Sequence, residues 1–311
     1  MQKKEDNMAA KKKPFPYLPD PGLEAAADVA LELGIPLLVT GEPGTGKTQL
    51  AYWLADTLGT EVLRFNTKTT SQAKDLFYRY DAIRHFRDSH QREVNPLAYI
   101  QFEALGKAII ASGKKRYVVL VDEIDKATRD FPNDLLFEFE KMAFQIAEAT
   151  AADMDNFDWE KYGTGRPALD NNGNISLKPA APKPVLILTS NSEKNLPDAF
   201  LRRCAFYHIP FPGPERLLDI VRIHGFLDGD FTEKLAEKAI AFFGQMREHG
   251  LRKKPATAEM LAWLHILKSR NLDLDAASTD IELERKIRQT FALLAKNKED
   301  LQRLTEEFRF D

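Results

Sequence analysis

The fold of this chain follows from one octapeptide, Gly41-Glu42-Pro43-Gly44-Thr45-Gly46-Lys47-Thr48. The apolar run 35–40 before it is expected to form a short buried strand, and residues 49–55 after it have the spacing and composition of a helix. A strand, a glycine-rich turn and a helix in this order are the context in which the pattern G-x-x-x-x-G-K-[ST] indicates a phosphate site. The alternative is a glycine-rich turn without a ligand, which this context disfavours.

Each residue type in the octapeptide has a physical reason to bind phosphate. Glycines let the backbone curl so that successive N–H groups point inward, and the N-terminus of the next helix adds partial positive charge. Lys47 is expected to reach the β- and γ-phosphates, and the Thr48 hydroxyl to bind Mg²⁺. The predicted nucleotide contacts are Gly41, Glu42, Pro43, Gly44, Thr45, Gly46, Lys47, Thr48 and Gln49.

Composition excludes several other classes of protein. The 311 residues are 43% apolar and 29% charged, which is typical of a globular protein with room for two domains. A net charge of −3 gives no overall attraction to nucleic acid or anionic membrane. No apolar run is long enough to span a membrane, so no membrane insertion is expected. Cys204 is the single cysteine, which excludes an internal disulfide and favours a cytoplasmic location.

Strands alternate with helices as far as residue 209. Four further strands are predicted at 60–66, 117–122, 184–189 and 205–209, with helices at 22–33, 97–112 and around 135–142. This alternation predicts an α/β fold with a doubly wound parallel sheet. Prolines at 210–214 mark a boundary, and the residues beyond it are predicted to be helical at 214–224, 231–249, 257–269 and 280–308.

These patterns divide the chain into three predicted parts. Residues 1–13 are expected to be a disordered basic tail, 14–211 the nucleotide-binding core, and 212–311 a helical domain. The core has two predicted inserts, at about 67–97 and about 148–182. The second insert is rich in glycine, asparagine and proline, which indicates a mobile loop or hairpin, and it has six acidic and two basic residues between 148 and 170.

Two carboxylates lie where the apolar strand Val118–Asp122 ends. Asp122 is the last residue of the strand, and Glu123 is the next residue. In a phosphate-loop protein, a strand tip beside the loop holds the acid linked to Mg²⁺. Asp122 is therefore expected to complete the magnesium site with Thr48, and Glu123 to activate a water for attack on the γ-phosphate.

Polar residues also follow the later strands. Asn191 comes after the fourth strand and is expected to hydrogen-bond the attacking water or the γ-phosphate; the alternative is a turn asparagine. Arg202 and Arg203 lie just before the fifth strand. Arginines of this kind are commonly solvated or ion-paired, but here a neighbouring subunit could present one of them to an ATP γ-phosphate.

Together these motifs resemble the AAA+ ATPases, most closely the MoxR-like branch. The matching segments are Gly41–Thr48 (Walker A), Val118–Glu123 (Walker B), Asn191 (sensor one) and Leu201–Arg203 (finger helix). The resemblance implies an αβα sandwich with a central parallel five-stranded sheet in the order 5-1-4-3-2, followed by a small helical lid domain. It also implies a ring of identical subunits, usually a hexamer, that binds ATP and Mg²⁺ at the subunit interfaces.

The sequence departs from the family pattern in two places. The finger arginine typically precedes an aromatic residue, whereas Arg203, the matching position, is followed by Cys204; Arg202 is the second choice. The lid should supply a basic sensor-two residue at the start of its third helix. No arginine occurs at that place inside the helix, so the basic residues at 252–254 just before it are the candidates.

The motifs leave open what ATP hydrolysis drives. One hypothesis is a remodeller that activates a partner protein; by analogy with MoxR-like ATPases, the partner would carry a von Willebrand A domain. The alternative is a nucleic-acid-dependent motor of a restriction or defence system, which should have a basic insert facing the pore. The mixed charge at 61–93 and the acidic segment 148–170 favour the remodeller, although the arginines at 84, 87 and 92 fit a motor.

Two other classes fit less well. The segment Asn297–Asp300 matches the guanine-binding pattern N-K-x-D, but it is predicted to lie inside a polar helix and is interpreted as a chance match. A structural switch that hydrolyses nucleotide slowly is the third possibility, and an intact Glu123 disfavours it.

Overall fold

The computed structural model describes residues 16–162, 165–192, 196–228 and 231–309. The predicted basic tail at 1–13 lies outside these residues. The strands described are β1 Leu37–Gly41, β2 Val62–Asn66, β3 Tyr78–Tyr80, β4 Ile100–Phe102, β5 Val118–Asp122, β6 Ala143–Phe144, β7 Ala168–Leu169, β8 Ile175–Ser176, β9 Val185–Thr189 and β10 Ala205–Ile209.

Helices connect and follow these strands. The α-helices described are α1 Pro21–Leu33, α2 Lys47–Thr57, α3 Ala82–Ser89, α4 Ala104–Ile110, α5 Asp130–Asp134, α6 Leu136–Lys141, α7 Ala151–Asp155, α8 Asp198–Leu201, α9 Pro214–Ile223, α10 Glu233–Glu248, α11 Thr257–Ser269, α12 Ile281–Thr290 and α13 Lys298–Glu307. Short 3₁₀ turns lie at Ala73–Leu76, Pro96–Tyr99, Ile124–Lys126, Trp159–Tyr162, Ala276–Ser278 and Phe291–Leu293.

Five strands form the central parallel sheet in the order β10-β1-β9-β5-β2. This is the predicted order, and the predicted αβα fold is confirmed. Alternate residues of a strand enter two different apolar cores: Leu37 and Val39 pack on α1 and α2, whereas Leu38 faces the opposite layer. Because all five strands are parallel, the carboxyl ends of β1, β9 and β5 meet at one edge of the sheet.

The first insert contains a short antiparallel pair, β3 and β4, on either side of α3. The predicted helix at 97–112 is therefore wrong in its first half, and α4 begins only at Ala104. The physical reason is visible in β4, where Ile100 and Phe102 are buried and Gln101 between them is exposed. That alternation follows the two-residue period of a strand paired with Tyr78–Tyr80.

The second insert folds back onto the core. Strands β6, β8 and β7 form a small antiparallel sheet, so the predicted hairpin is present between β7 and β8. Asp170 closes its turn by accepting hydrogen bonds from the N–H groups of Asn172 and Asn174. Trp159 is buried, and its indole N–H donates to the carbonyl of Met154 at 2.9 Å.

The C-terminal helices α9–α13 surround an apolar core of their own. Trp263 is fully buried at its centre and donates from its indole N–H to Thr290 Oγ1 at 2.7 Å. Among the helices that the structure describes, none has the length and apolar character needed to cross a membrane.

The predicted last helix at 280–308 is wrong, because α12 and α13 are separate helices. Asn297 begins α13 as its N-cap and accepts a hydrogen bond from the N–H of Asp300 at 2.8 Å. The buried Asp300 carboxylate accepts in turn from the N–H groups of Arg252 and Lys253. The N-K-x-D segment therefore joins α13 to the loop before α11, far along the chain from the phosphate loop.

Asp300→Ala should lower the free energy of unfolding by about 2–3 kcal/mol, because two backbone N–H groups lose a charged acceptor. Burial opposes the charge of Asp300, but these N–H donors and Asn297 hold its pKa below the ordinary value. The stabilisation should therefore be present above about pH 4 and be lost as the pH falls through the lower folded-state pKa. Urea denaturation at pH 7 and in acid measures both effects.

The matched control is Glu299→Ala, since Glu299 is exposed and forms only a surface ion pair with Arg252. It should change stability by less than about 0.5 kcal/mol. Equal losses for the two variants would contradict a structural role for Asp300.

Candidate nucleotide-binding site

The phosphate loop connects β1 to α2 and is closed from outside by two other parts of the chain. Gly44 and Gly46 have positive φ values of 76° and 92°. A β-carbon on Gly44 would lie 2.5 Å from Ala256 Cβ, at the start of α11. A β-carbon on Gly46 would lie 2.8 Å from the ring of Tyr17, in the segment before α1. Glycine is required at both positions, because of the backbone conformation and because of these neighbours.

Lys47 places its charge inside the loop. Its Nζ donates to the carbonyl oxygens of Gly41 at 2.8 Å and Glu42 at 2.9 Å. Burial lowers the pKa of Lys47, while nearby carboxylates, Asp125 first among them, act in the opposite direction. The ammonium group thus occupies the concave side of a loop whose geometry suits anionic oxygens.

Thr48 and Asp122 meet as predicted for a magnesium site. Thr48 Oγ1 donates to Asp122 Oδ1 at 3.0 Å, and Thr189 Oγ1 donates to the same oxygen at 2.6 Å. On the other side, Arg64 Nη2 lies 2.6 Å from Asp122 Oδ2. A hydroxyl and a carboxylate are the hard oxygen donors that Mg²⁺ prefers, so these residues fit the ion.

The described part of the chain contains no group of three His, Cys, Asp or Glu side chains able to hold a metal by itself. Mg²⁺ commonly binds through one or two protein oxygens together with substrate phosphates. The donor set of Thr48 and Asp122 therefore suits a magnesium ion that arrives with a nucleotide.

Glu123 follows β5 in the left-handed backbone region, with φ 57° and ψ 52°. For a residue other than glycine this conformation costs about 1–3 kcal/mol and is common at functional sites. The N–H of Glu123 donates to Thr189 Oγ1 at 2.8 Å, and the Glu123 carboxylate contacts Lys126 Nζ. That contact raises the pKa of Lys126. Thr189 thus holds Asp122 and Glu123 together, a role that the sequence did not reveal.

Asn191 lies on the loop after β9, at the same edge of the sheet. Since β9 runs between β1 and β5, this loop is flanked by the phosphate loop and the Walker B residues. The Asn191 N–H lies 3.4 Å from Asp125 Oδ1, and the residue is exposed. The structure therefore brings Asn191 to the edge of the sheet that holds the predicted magnesium ligand Asp122 and the predicted catalytic Glu123.

Arg202 and Arg203 lie at the opposite end of the sheet. They precede β10, whose first residue, Ala205, pairs with Leu37 at the start of β1. The phosphate loop begins at Gly41, four residues further along β1, which corresponds to about 13 Å at the usual rise per residue. Both arginines are exposed, and Arg203 Nη1 donates to the carbonyl of Ala199 at 2.9 Å. The structure does not bring them to the phosphate loop of their own chain.

The helical region contributes an arginine that sequence reasoning missed. Arg247, on α10, is 6% exposed, and its Nη2 lies 2.8 Å from Glu42 Oε2 in the phosphate loop. Its guanidinium stacks on Phe211 at 3.4 Å from the ring centroid and also donates to the carbonyl of Pro255. No motif links Arg247 to Glu42, because the two residues are 205 positions apart.

The basic residues at 252–254, which the sequence analysis named as sensor-two candidates, contact other parts of the chain. Arg252 forms an ion pair with Glu299, and Lys254 forms one with Glu248. The N–H of Lys253 donates to Asp300. Of these positions and Arg247, only Arg247 has a contact with the phosphate loop in the described part of the chain.

A cleft of about 750 Å³ adjoins the phosphate loop, within the size range of small-molecule sites. The segment before α1, the connection from β10 to α9, and the start of α11 form its walls. Its lining is mostly apolar and includes Tyr17, Ile209, Ile220, Ile223 and Leu261. These walls suit a planar base and its ribose beside phosphates held by the loop.

Arg216 of α9 fixes the segment that forms one wall of this cleft. Its guanidinium donates to the carbonyls of Leu18 at 2.7 Å and Pro19 at 2.5 Å. Tyr207 donates to Asp20 in the same segment, and this hydrogen bond raises the pKa of Tyr207 to about 12. Sequence patterns gave no sign of the cleft, because its walls come from three distant parts of the chain and adjoin a fourth, the phosphate loop.

The sheet order, the phosphate loop and the Walker B carboxylates define a P-loop nucleotide-binding protein. The family model for AAA, the ATPase family associated with various cellular activities, matches residues 37–212. This match covers more than half of the chain, and the chain belongs to the AAA ATPase family.

Solved structures with a similar fold include RuvB from Thermotoga maritima, a Holliday junction branch migration motor. Its sequence is 14% identical, its TM-score is 0.43, and the match covers 88% of this chain and 67% of that chain. A single-residue variant of the same RuvB is 16% identical, with a TM-score of 0.42 and coverage of 87% and 73%. Among curated protein sequences, none matches this chain.

The Glu42–Arg247 pair should couple the helical C-terminal region to the phosphate loop energetically. In a double-mutant cycle of Glu42→Ala and Arg247→Ala, we expect an interaction energy of about 1–2 kcal/mol in the free energy of unfolding, because the Arg247 guanidinium is buried. The exposed pair Arg252 and Glu299 is the matched control and should give less than about 0.5 kcal/mol. Additive effects at Glu42 and Arg247 would contradict the coupling.

Proposed function

We propose that this AAA ATPase is of the MoxR-like type and hydrolyses ATP in a ring, expected to be hexameric, in order to remodel or activate a partner protein. One observation supports the proposal of a ring. Arg202 and Arg203 are exposed at the end of β10 that lies away from the phosphate loop. If one of these two arginines stabilises a γ-phosphate, it does so in the site of a neighbouring subunit, and each nucleotide site is then completed between two copies of the chain.

The residues of the site have distinct proposed roles. The backbone N–H groups of residues 41–49 other than Pro43, together with Lys47, bind the phosphates, and Thr48 with Asp122 would hold Mg²⁺. When bound, this ion would neutralise charge on the β- and γ-phosphates. Lys47 reaches the phosphates by exchanging its present contacts with two loop carbonyls for phosphate oxygens.

Glu123 is the proposed general base. Its carboxylate leaves Lys126 and accepts the proton of the attacking water, while Thr189 keeps its backbone fixed. Asn191 orients that water from the adjacent loop. Arg203 of the neighbouring subunit, with Arg202 as the second choice, stabilises the charge of the transferring phosphoryl group.

A protein client is supported by the surface of the first insert. On α3 the apolar side chains of Ile83 and Phe86 are 86% and 68% exposed. Arg84 and Arg87 on the same helix form ion pairs with Asp88, so their charge is partly neutralised. Exposed apolar groups among balanced charges suit a protein surface better than a nucleic-acid backbone. The resemblance to MoxR-like ATPases favours a partner with a von Willebrand A domain.

The nucleic-acid-dependent motor of a restriction or defence system is the second candidate. It is favoured by the arginines of the first insert, of which Arg79, Arg84 and Arg87 have largely exposed side chains. A motor would need these side chains to exchange their carboxylate partners for phosphates, and binding of this kind weakens as the salt concentration rises.

Complementation between two inactive variants tests the shared site. Glu123→Gln should bind ATP normally yet lose turnover at least ~100-fold, because the general base is missing. Arg203→Ala should lose turnover at least ~100-fold, because the γ-phosphate loses its cation. A mixture of the two should recover activity, since the Arg203→Ala subunit keeps its base and receives an arginine from its Glu123→Gln neighbour.

Arg270→Ala, an exposed arginine on the far side of the helical region, is the control and should keep wild-type turnover. The ATPase rate of each mixture is measured after mixed assemblies have been verified by native mass spectrometry. No recovery in verified mixed assemblies would contradict a site completed by the neighbour.

ATPase rate against protein concentration, with and without DNA, separates the two candidate functions. We expect specific activity to rise steeply with concentration, since assembly completes the site, and to stay within about twofold when single- or double-stranded DNA is added. Strong stimulation by DNA would support the motor. Constant specific activity in a proven monomer would exclude the ring.

A further inference from the structure

Arg64 lies on the edge strand β2, within reach of Asp122 on the neighbouring strand β5. The register of the two strands pairs Arg64 with Leu120 and Asn66 with Asp122. Since alternate residues of a strand share a face, Arg64 and Asp122 lie on the same side of the sheet. Leu120 packs there in one apolar core with Leu50 of α2, the helix that follows the phosphate loop. Arg64 therefore approaches Asp122 from the edge of the sheet, on the side that α2 covers.

The Arg64 guanidinium balances the charge of the buried Asp122 carboxylate. Its Nη2 lies 2.6 Å from Asp122 Oδ2, and the two side chains are 43% and 7% exposed. The other carboxylate oxygen, Oδ1, accepts from the hydroxyls of Thr48 and Thr189, which carry no charge. Among the described residues, Arg64 is thus the cation in direct contact with Asp122. A hydrogen bond between two charged groups is about twice as strong as one between neutral groups.

The charges around Lys47 are balanced in the same way. Burial lowers the pKa of Lys47, and four carboxylates act in the opposite direction: Asp125, Asp122, Glu123 and Glu42. Three of these carboxylates have a basic partner of their own: Arg64 for Asp122, Lys126 for Glu123 and Arg247 for Glu42. Lys47 and these three partners therefore set four basic side chains against four acidic ones. Without the charge of Arg64, one negative charge would be in excess at the predicted magnesium ligand.

We propose that Arg64 is a positioning residue that makes the site select Mg²⁺ bound to a nucleotide over free Mg²⁺. This inference rests on the proposed function, because it concerns the same nucleotide site. With its charge balanced by Arg64, Asp122 attracts a free divalent cation weakly and repels phosphate oxygens weakly. A nucleotide supplies further oxygen ligands for Mg²⁺, so the protein holds the ion once phosphates are present.

The two oxygens of Asp122 have separate partners, and Arg64 can therefore act without occupying the side of the metal ligands. Oδ1 is in contact with Thr48, the other predicted magnesium ligand, whereas Oδ2 is in contact with Arg64. Arg64 can keep this contact when a nucleotide is bound, and it acts through the charge and the orientation of the carboxylate. Lys126 differs, since Glu123 must leave it in order to act as the base.

Arg64→Met tests the proposal, since methionine keeps much of the length of the side chain and removes its charge. We expect Mn²⁺ to bind the nucleotide-free variant at least about tenfold more tightly than wild type, because the carboxylate is no longer balanced. Mn²⁺ is the probe, since it prefers the same oxygen ligands as Mg²⁺ and the free ion is counted by electron paramagnetic resonance. ATP in the presence of EDTA should bind at least about threefold more weakly, because the same carboxylate repels phosphate. Calorimetric titration measures the ATP affinity.

Three further variants serve as controls. Arg64→Lys keeps the charge and should retain both affinities within about threefold. Arg64→Gln is neutral but keeps a hydrogen-bond donor, and it should behave as Arg64→Met does if the methionine variant fails to fold. Arg79→Met removes one arginine charge from an exposed ion pair with Glu103 in the first insert. It should leave both affinities unchanged, which separates the position of the charge from the net charge of the protein.

The opposite signs of the two changes distinguish the proposal from a purely structural role, because a distorted site would lose affinity for metal and for ATP alike. Metal affinity that is unchanged or lower in the folded neutral variants would overturn the proposal. Equal gains in Arg79→Met would overturn it as well. Wild-type protein that binds no ATP in the presence of Mg²⁺ would refute the proposed function itself. Since the metal titration contains no nucleotide, the two failures are distinguishable.

Discussion

The architecture of the site depends on the carboxylate of Asp122. Its Oδ1 accepts hydrogen bonds from Thr48 and Thr189, and its Oδ2 forms an ion pair with Arg64. These three contacts tie β5 to the start of α2, the end of β9 and β2. A buried carboxylate must be fully paired in this way, because an unpaired charge with little solvent exposure would be costly. The same pairing fixes the distance between the phosphate loop and the residue next to Asp122, the proposed base.

The nucleotide cleft is shared between two packing units. The core supplies the phosphate loop and the segment before α1, whereas α9 and the start of α11 supply other walls, and α10 supplies the Arg247 contact to Glu42. Each unit has its own apolar core, so they can move relative to each other without exposing either one. A nucleotide that contacts both units would favour the closed arrangement, since it gains free energy only when both sides are in place.

Local sequence patterns predicted the strands and the phosphate loop of the core. They did not predict contacts between residues that are far apart in the sequence. The phosphate loop and Asp122 were recognisable because motif and strand are contiguous in sequence. Helical spacing failed at 97–112, where Phe102 belongs to a strand whose partner is 24 residues away, and at 280–308, where Asn297 starts a new helix. Arg247 gave no signal, since its role depends on a neighbour in the phosphate loop that is distant in sequence.

The two hydrogen bonds from Arg216 to the segment before α1 have a mechanical consequence. Arg216 belongs to α9 and binds the carbonyls of Leu18 and Pro19. These two residues directly follow Tyr17, whose ring lies against Gly46 of the phosphate loop. Rotation of α9 away from the core would pull on this segment, which covers the loop at Gly46 and is also held to β10 by the hydrogen bond from Tyr207 to Asp20. The two parts of the chain that cover the loop, at Gly46 and at Gly44, are therefore both connected to the helical region. The Arg216 contacts would thus be one of the interactions that resist nucleotide exchange, together with the Glu42–Arg247 pair.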